Sequence, residues 1–294
     1  MQAPLPIRDG ISPSYIWIPE GQWENALAFL CKRFQDVPEA TWRARFENRE
    51  IVDQTGQVLQ TNSEVRRGMC LYYYREVENE PIIPFEEQIL FQDEHLLVVD
   101  KPHFLPVTPG GQYLRETLLS RLKHKTGNQQ LSPLHRLDRE TAGVMLFSCQ
   151  AESRGIYQRL FQERTIEKTY HAVAPRLSTI NFPFLKRSRM IESERFFMMQ
   201  EVDGEPNSET MIDIIENRGE LTLYRLQPKT GKKHQLRLHL ASLGAPILND
   251  GFYPAPRPAG TDDFEKPLQL LAYSIAFQDP IEGRQRSFFT EQTL

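Results

Sequence analysis

The sequence predicts an α+β protein in which a small N-terminal module precedes a larger α+β domain. Three observations predict it. First, 294 residues with 39% apolar and 25% charged side chains suit a soluble chain with one large core, or one core plus a small accessory domain. Second, amphipathic helical stripes and alternating strand-like runs occur on both sides of residue 80. Third, the acidic stretch Arg75 to Glu87, punctuated by Pro81 and Pro84, reads as a linker. The division expected is 1–80 and 81–294.

Taken in order, residues 22–34 place Trp23, Leu27, Leu30, Cys31 and Phe34 on one stripe at helical spacing. A second helix is expected to open at Asp36-Val-Pro-Glu, with Asp36 accepting from free N–H groups and Pro38 tolerated in the first turn. Its buried face carries Trp42 and Phe46, while Arg43, Arg45 and Arg49 project elsewhere. Ile51 to Leu59 reads as two short strands around a Gly56 turn, and Met69 to Tyr74 as a β-rich run. Beyond the linker, Ile89 to Asp100 predicts a hairpin with a polar tip. Leu114 to Lys125 and Glu152 to Arg164 predict helices, and Thr165 to Ala174 and Leu221 to Gln227 predict strands. Thr230 to Gly244 has a helical core with Leu236, Leu240 and Leu243 on one face, stopped by Gly244 and Pro246.

Composition also excludes. No apolar run approaches the ~20 residues of a membrane span, and the N-terminus lacks a basic region followed by an apolar stretch; a cytoplasmic protein is expected. Cys31, Cys70 and Cys149 are scattered, which gives neither a disulfide framework nor a metal pair, and they read as small apolar residues. The net charge of −4 argues against a nucleic-acid-coating protein. That total is uneven: residues 75–100 carry −7 and residues 101–240 carry +7. Leu221 to Leu240 holds Arg225, Lys229, Lys232, Lys233 and Arg237 with no acid. A solvated face would account for such a cluster equally well.

The densest polar cluster is His135-Arg-Leu-Asp138-Arg-Glu-Thr-Ala-Gly143, which runs into the apolar Val144 to Phe147. A carboxylate between Arg136 and Arg139 is expected to be ionised at neutral pH. It suits attack on an electrophilic sugar carbon and does not suit donating a proton. A salt-bridged loop with no chemistry is the alternative from these residues alone. In the strand Thr165 to Ala174, period-two geometry puts Ile166, Lys168, Tyr170 and Ala172 on one face. His234 and His239, five apart, suit no metal-pair spacing. Phosphate-loop, dinucleotide-fingerprint and serine-elbow motifs are absent from the sequence.

The cluster resembles the signature of the RluA family of RNA pseudouridine synthases. Leu96-Leu-Val-Val-Asp-Lys-Pro102, Glu167-Lys-Thr-Tyr-His-Ala172, Pro228 to His239 and Pro246-Ile-Leu-Asn-Asp250 resemble further family motifs in the same order, over roughly residues 85 to 280. The resemblance implies a catalytic domain with a central mixed, largely antiparallel sheet, and isomerisation of uridine in rRNA or tRNA without a cofactor. It implies Asp138 as nucleophile, Tyr170 as the residue that stacks on uracil and moves protons, and Arg237 as the partner of Asp138. A half-buried sheet tyrosine and an arginine lying along the RNA backbone are the plainer alternatives for the last two. His135, Arg136, Arg139, Lys168, Lys232, His234 and Leu248 are the candidate substrate-binding residues, although His135 also reads as a structural hydrogen-bonding residue. RNA is the expected partner of a monomer with no membrane association and no nucleotide cofactor. Residues 22–74 resemble, more weakly, a small RNA-binding domain in which Arg43, Arg45, Arg49, Arg66 and Arg67 would meet phosphates. A module that only packs against the larger domain is equally open.

The sequence departs from the family at several points. Ala142 stands for a common Ser, Lys232 for Arg and Asn249 for Gly, the last tolerable if its backbone is left-handed. Leu271 and Asp279-Pro280 replace a frequent His and a His-Pro, which puts substrate contacts in doubt. A non-catalytic RNA-binding protein remains open, as does, more distantly, a nucleoside glycosidase using Glu140 as its acid.

Overall fold

A computed structural model describes residues 3–8, 11–77, 79–194, 197–257 and 262–294. The chain forms two units. The first is Met1–Pro81 with Pro109–Arg115 and Ser120–Gln129, and the second is the remainder. The division is therefore not one cut at 80/81, because two later segments belong with the N-terminal module.

In the first unit, Asn25 fixes where helix begins. Its side chain accepts from the Ala28 N–H at 2.9 Å and starts α1 (Ala26–Arg33), which leaves Gln22, Trp23 and Glu24 outside the helix. Asp36 is not the cap of α2 (Glu39–Glu47). Pro38 takes that position, and its carbonyl accepts from the N–H groups of Thr41 and Trp42. Leu27, Phe29, Leu30, Trp42 and Phe46 form one core. Arg45 joins this buried side instead of projecting with Arg43, and its guanidinium lies 4.7 Å from the Trp42 ring. Arg43 is paired with Glu39 and Arg67 with Glu20.

The helices accompany an antiparallel sheet in the order β1 (Ser14–Trp17), β3 (Cys70–Tyr73), β2 (Ile51–Asp53). The Asp53 carboxylate accepts from Thr55 N–H, Thr55 Oγ1 and Gln57 N–H and closes the turn at Gly56, whose φ is +88°. The second strand-like piece shrinks to a single bridge between Val52 and Val58.

The second unit carries one sheet of eleven strands among the described residues. Its hairpin pairs β4 (Gln88–Gln92) with β5 (Leu96–Lys101), and the Asp93 carboxylate accepts from the His95 and Leu96 N–H groups at the tip. The other strands are β6 (Ser132–Pro133), β7 (Ala142–Ser148), β8 (Glu167–Pro175), β9 (Phe184–Glu192), β10 (Met199–Val202), β11 (Ser208–Arg218), β12 (Leu221–Pro228), β13 (Leu270–Gln278) and β14 (Gln285–Phe289). The main order is β10-β9-β11-β12-β8-β13-β7-β5-β4, with β14 on β13 and β6 on β7. Every pairing is antiparallel except β13 with β7, so the sheet is mixed and largely antiparallel, as expected.

Gly143 makes that parallel join possible. Its φ is +111°, and a Cβ there would lie 2.3 Å from the Ala272 carbonyl oxygen. The remaining helices among the described residues are α3 (Leu118–Thr126), most of which belongs to the first unit, and α4 (Ala151–Gln162) and α5 (Gln235–Ser242) of the second. β5 and β7 are buried along their whole length, which explains the apolar runs Leu96–Val99 and Ala142–Phe147. Asp279, the departure from His-Pro, is a structural group. It accepts from Tyr157 Oη and from the Ile281 and Glu282 N–H groups, and pairs with Arg286 at 2.6 Å. Leu271 is buried beside β7 and β8.

Candidate active site

Asp138 lies in the loop between β6 and β7, and two buried groups hold that loop. The Lys101 side chain is wholly buried, and its Nζ donates to the carbonyls of Pro102 at 2.9 Å, Leu105 at 2.8 Å and Arg139 at 3.0 Å. The last of these carbonyls belongs to the residue after Asp138. Burial pushes the Lys101 ammonium down to about 7, against the opposing charges of Glu140 and Asp138. His103 Nδ1 donates to the Glu140 carbonyl at 2.6 Å. The Thr141 N–H donates to the Asp138 carbonyl and turns the chain into β7.

The cation that faces Asp138 is Arg237, not the arginines beside it in sequence. Arg237 sits on α5 with 1% of its surface exposed. Its Nε and Nη2 form a fork on Asp250 at 2.8 and 2.7 Å, and its Nη1 donates to Asp138 at 3.3 Å and Glu140 at 3.4 Å. Burial opposes its charge, but hydrogen bonds and charge from Asp250, then Asp138 and Glu140, outweigh burial and hold the guanidinium above its ordinary pKa. Asp250 Oδ1 also accepts from the Phe252 and Tyr253 N–H groups. Asp250 is thus an anchor with four donors, and Arg237 transmits its fixed position to Asp138. Removing one member of such a buried pair costs about 3–5 kcal/mol.

Tyr170 comes from β8 to the same place. Burial, then the charge of Asp138, pushes its phenol well above the usual range, so it keeps its proton. A protonated ring can stack on a flat base and donate a hydrogen bond. His234, the residue before α5, has its Nε2 at 3.9 Å from Asp138 and its Nδ1 at 3.1 Å from Tyr253 Oη. Burial lowers its pKa, against Asp138, and favours the neutral ring.

The helical core expected within 230–244 is α5, and the residues before it form a loop. The Gln235 side chain accepts from Thr230 Oγ1 and the Lys232 N–H and donates to the Glu209 carbonyl, which fastens 230–233 as a loop. His234 follows in the left-handed region at φ +53°, so α5 begins only at Gln235.

The structure gathers Asp138, Tyr170, Arg237 and His234 and leaves other candidates elsewhere. His135 makes internal contacts of the structural kind: its Nε2 accepts from the Leu146 N–H at 3.1 Å and its ring stacks on Phe161. Burial and Lys168 push it down to about 3, so the ring is neutral and braces the loop against β7. Arg136 is exposed without an ion pair among the described residues. Arg139 is held by Asp262 at 2.6 Å and Glu140 at 3.2 Å. Lys168 is half-buried on the Tyr170 face of β8. Lys232 is exposed on the loop before α5. Leu248 bonds Val173 and Gln269 through its backbone and leaves its side chain exposed. Asn249 has φ +65°, the left-handed conformation its replacement of Gly requires. His239 turns away to Ser188, Ser208 and Thr210 and shares no ligand with His234.

Sequence reasoning assigned no role to Lys101 or Asp250, although both lie in motifs that carried the resemblance. A buried lysine in a strand and an acid thirteen residues after an arginine were the available signals.

Comparisons with known proteins agree with one another. The family profile described as RNA pseudouridylate synthase matches residues 95–242. An RNA pseudouridine synthase of Synechocystis is 30% identical over 77% of this chain and 78% of its own length. The dual-specificity RNA pseudouridine synthase RluA of Haemophilus influenzae is 32% identical over 71% of this chain and 94% of its own. Among solved structures, human RNA pseudouridylate synthase domain containing 4 superposes with a TM-score of 0.54 at 27% identity, covering 70% of this chain and 88% of that one.

Proposed function

The chain belongs to the RluA family of RNA pseudouridine synthases, isomerases of RNA, and on that premise we propose that it converts specific uridines of rRNA or tRNA with Asp138 as nucleophile. One observation carries the assignment: a buried arginine, locked by Asp250, directs its remaining nitrogen to the Asp138 carboxylate. In this reading Asp138 attacks the ribose carbon as the bond to the uracil nitrogen breaks. The freed uracil turns over Tyr170, and its carbon 5 bonds the ribose carbon as the carboxylate leaves. Carbon 5 then loses its proton and the nitrogen freed from the ribose takes one up, so product and substrate are isomers and no cofactor is consumed.

Arg237 holds the Asp138 rotamer. Tyr170 stacks on the base and, with its phenol protonated, donates instead of acting as a phenolate. A uridine inside folded RNA must first be extruded, at a cost of a few kcal/mol that stacking and basic contacts offset. The substrate class is carried by the family, and a relative's name includes dual specificity. The same reading makes the protein a cytoplasmic monomer that needs no nucleotide cofactor; no described helix is long and apolar enough to cross a membrane.

The test is release of tritium from RNA labelled at uracil carbon 5. Pure protein is incubated separately with rRNA and with bulk tRNA, and nucleosides are identified by mass spectrometry with chemical tagging of pseudouridine. Tritium release with pseudouridine in at least one RNA supports the reading, and release from neither overturns it.

A further inference from the structure

Beside the site lies an open groove of about 660 Å³, lined by Arg164, Arg187, Glu209, Thr230 and Lys232 among others. Its polar floor is already committed. Ser208 bonds His239, the Asn207 side chain bonds the Met190 backbone, and Thr230 bonds Gln235. Its three cations are exposed. Glu209 pairs with Arg187 at 2.7 Å, whereas Arg164 and Lys232 have no ion pair among the described residues. The groove therefore presents more positive charge than it neutralises.

Arg164 is one of the groove's exposed cations. α4 ends in a glycine-type stop, with the Thr165 N–H bonded to the Leu160 carbonyl at 3.0 Å and residue 164 in the left-handed region at φ +57°. Glycine is the favoured residue there. Arg49 stands in the same position after α2, at φ +60° with the Glu50 N–H bonded to the Arg45 carbonyl at 2.9 Å, so the fold accepts arginine there, and at Arg164 it adds an exposed cation to the groove.

One groove residue is also close to the reacting carboxylate along the chain. Lys232 is two residues before His234, at most ~7.6 Å of chain, and His234 Nε2 is 3.9 Å from Asp138. We propose that the groove carries the RNA strand flanking the target uridine, with Arg164, Arg187 and Lys232 meeting consecutive phosphates. The inference rests on RNA being the substrate and extends the site beyond the uridine pocket.

The test measures binding of a fluorescein-labelled oligouridylate across a salt series, with Arg164→Gly, Lys232→Gln and the double variant. Arg164→Gly relieves the left-handed position, so it should melt no lower than the unaltered protein while binding RNA more weakly. Each lost phosphate contact should lower the slope of log affinity against log salt by about 0.7, about 1.4 for the pair. Arg218→Gln is the control, at the far end of β11, ~33 Å along the strand from Ser208, and should leave the slope alone. Unchanged slopes in both groove variants, or an equal loss in the control, would overturn the groove. The unaltered protein's pseudouridine formation is measured separately. Turnover with unchanged slopes removes the groove and keeps the activity, while reduced slopes without turnover remove the activity and keep the groove.

Discussion

Replacing Asp250 by Asn tests how Arg237 is held. The change keeps the shape of the side chain and removes the charge that Arg237 Nε and Nη2 share at 2.8 and 2.7 Å. It also places an amide NH₂ where one of these donors points. Arg237, with 1% of its surface exposed, keeps one neutral acceptor, the Asn amide oxygen, and the longer contacts to Asp138 and Glu140 at 3.3 and 3.4 Å. Breaking a buried pair from one side costs about 3–5 kcal/mol. For a folding unit of this size, about 2–4 °C per kcal/mol makes the expected fall in melting temperature about 10 °C. Activity at 25 °C should fall more than the folded fraction does, because the arginine that aims Asp138 has lost its anchor. The double variant Asp250→Asn/Arg237→Met removes both charges and should regain much of the lost stability while staying inactive. Melting followed by circular dichroism, with tritium release on the same samples, reads both effects. A melting point within about 1 °C of the unaltered protein would refute the reasoning, as would a double variant no more stable than the single one.

Three further outcomes follow. Tyr170→Phe keeps the ring and removes the hydroxyl, so it should bind oligouridylate normally and lose about 10²-fold or more in turnover through the missing proton donor; full turnover would reduce Tyr170 to a stacking surface. Lys101→Met leaves three carbonyls without their donor and should cost at least about 3 kcal/mol, seen as a lower urea midpoint and faster hydrogen exchange at residues 138–141. The His239 ring is pushed down to about 4 by burial. Its folded form therefore resists a proton that the unfolded chain accepts near 6.5: its contribution is intact above pH 6.5 and lost as pH falls to 4, by about 3 kcal/mol. Urea titrations over that range should show a shallower acid decline in His239→Gln.

What the sequence made legible was set by local pattern. Asp138, Tyr170 and Arg237 come from three separate elements, a loop, a strand and a helix, each with a motif of its own, and the structure brings them together. The hairpin β4–β5 and the strands β8 and β12 carry clean period-two or apolar signals. Strands β9 and β11 do not, because Phe184–Glu192 and Ser208–Arg218 place charged residues on both faces. The start of α5 was hidden because Gln235 bonds across to Glu209 and Thr210, partners more than twenty residues away.

Charge reasoning failed in an instructive way. Arg136 and Arg139 adjoin Asp138 in sequence, yet its cation comes from a residue 99 positions later. Arg45 looked like a phosphate ligand on an outer helical face, and packing on Trp42 claimed it instead. Proximity along the chain is a weak guide wherever long side chains can reach across a core.

The proposed chemistry depends on the Asp138 carboxylate. Asp138→Asn is nearly isosteric and keeps a group for Arg237 Nη1 to bond, so the protein should fold and bind RNA with close to the unaltered affinity. Tritium release from RNA labelled at uracil carbon 5, followed under single-turnover conditions, should be absent in this variant. Pseudouridine formed by Asp138→Asn at a measurable rate would contradict the assignment of the nucleophile.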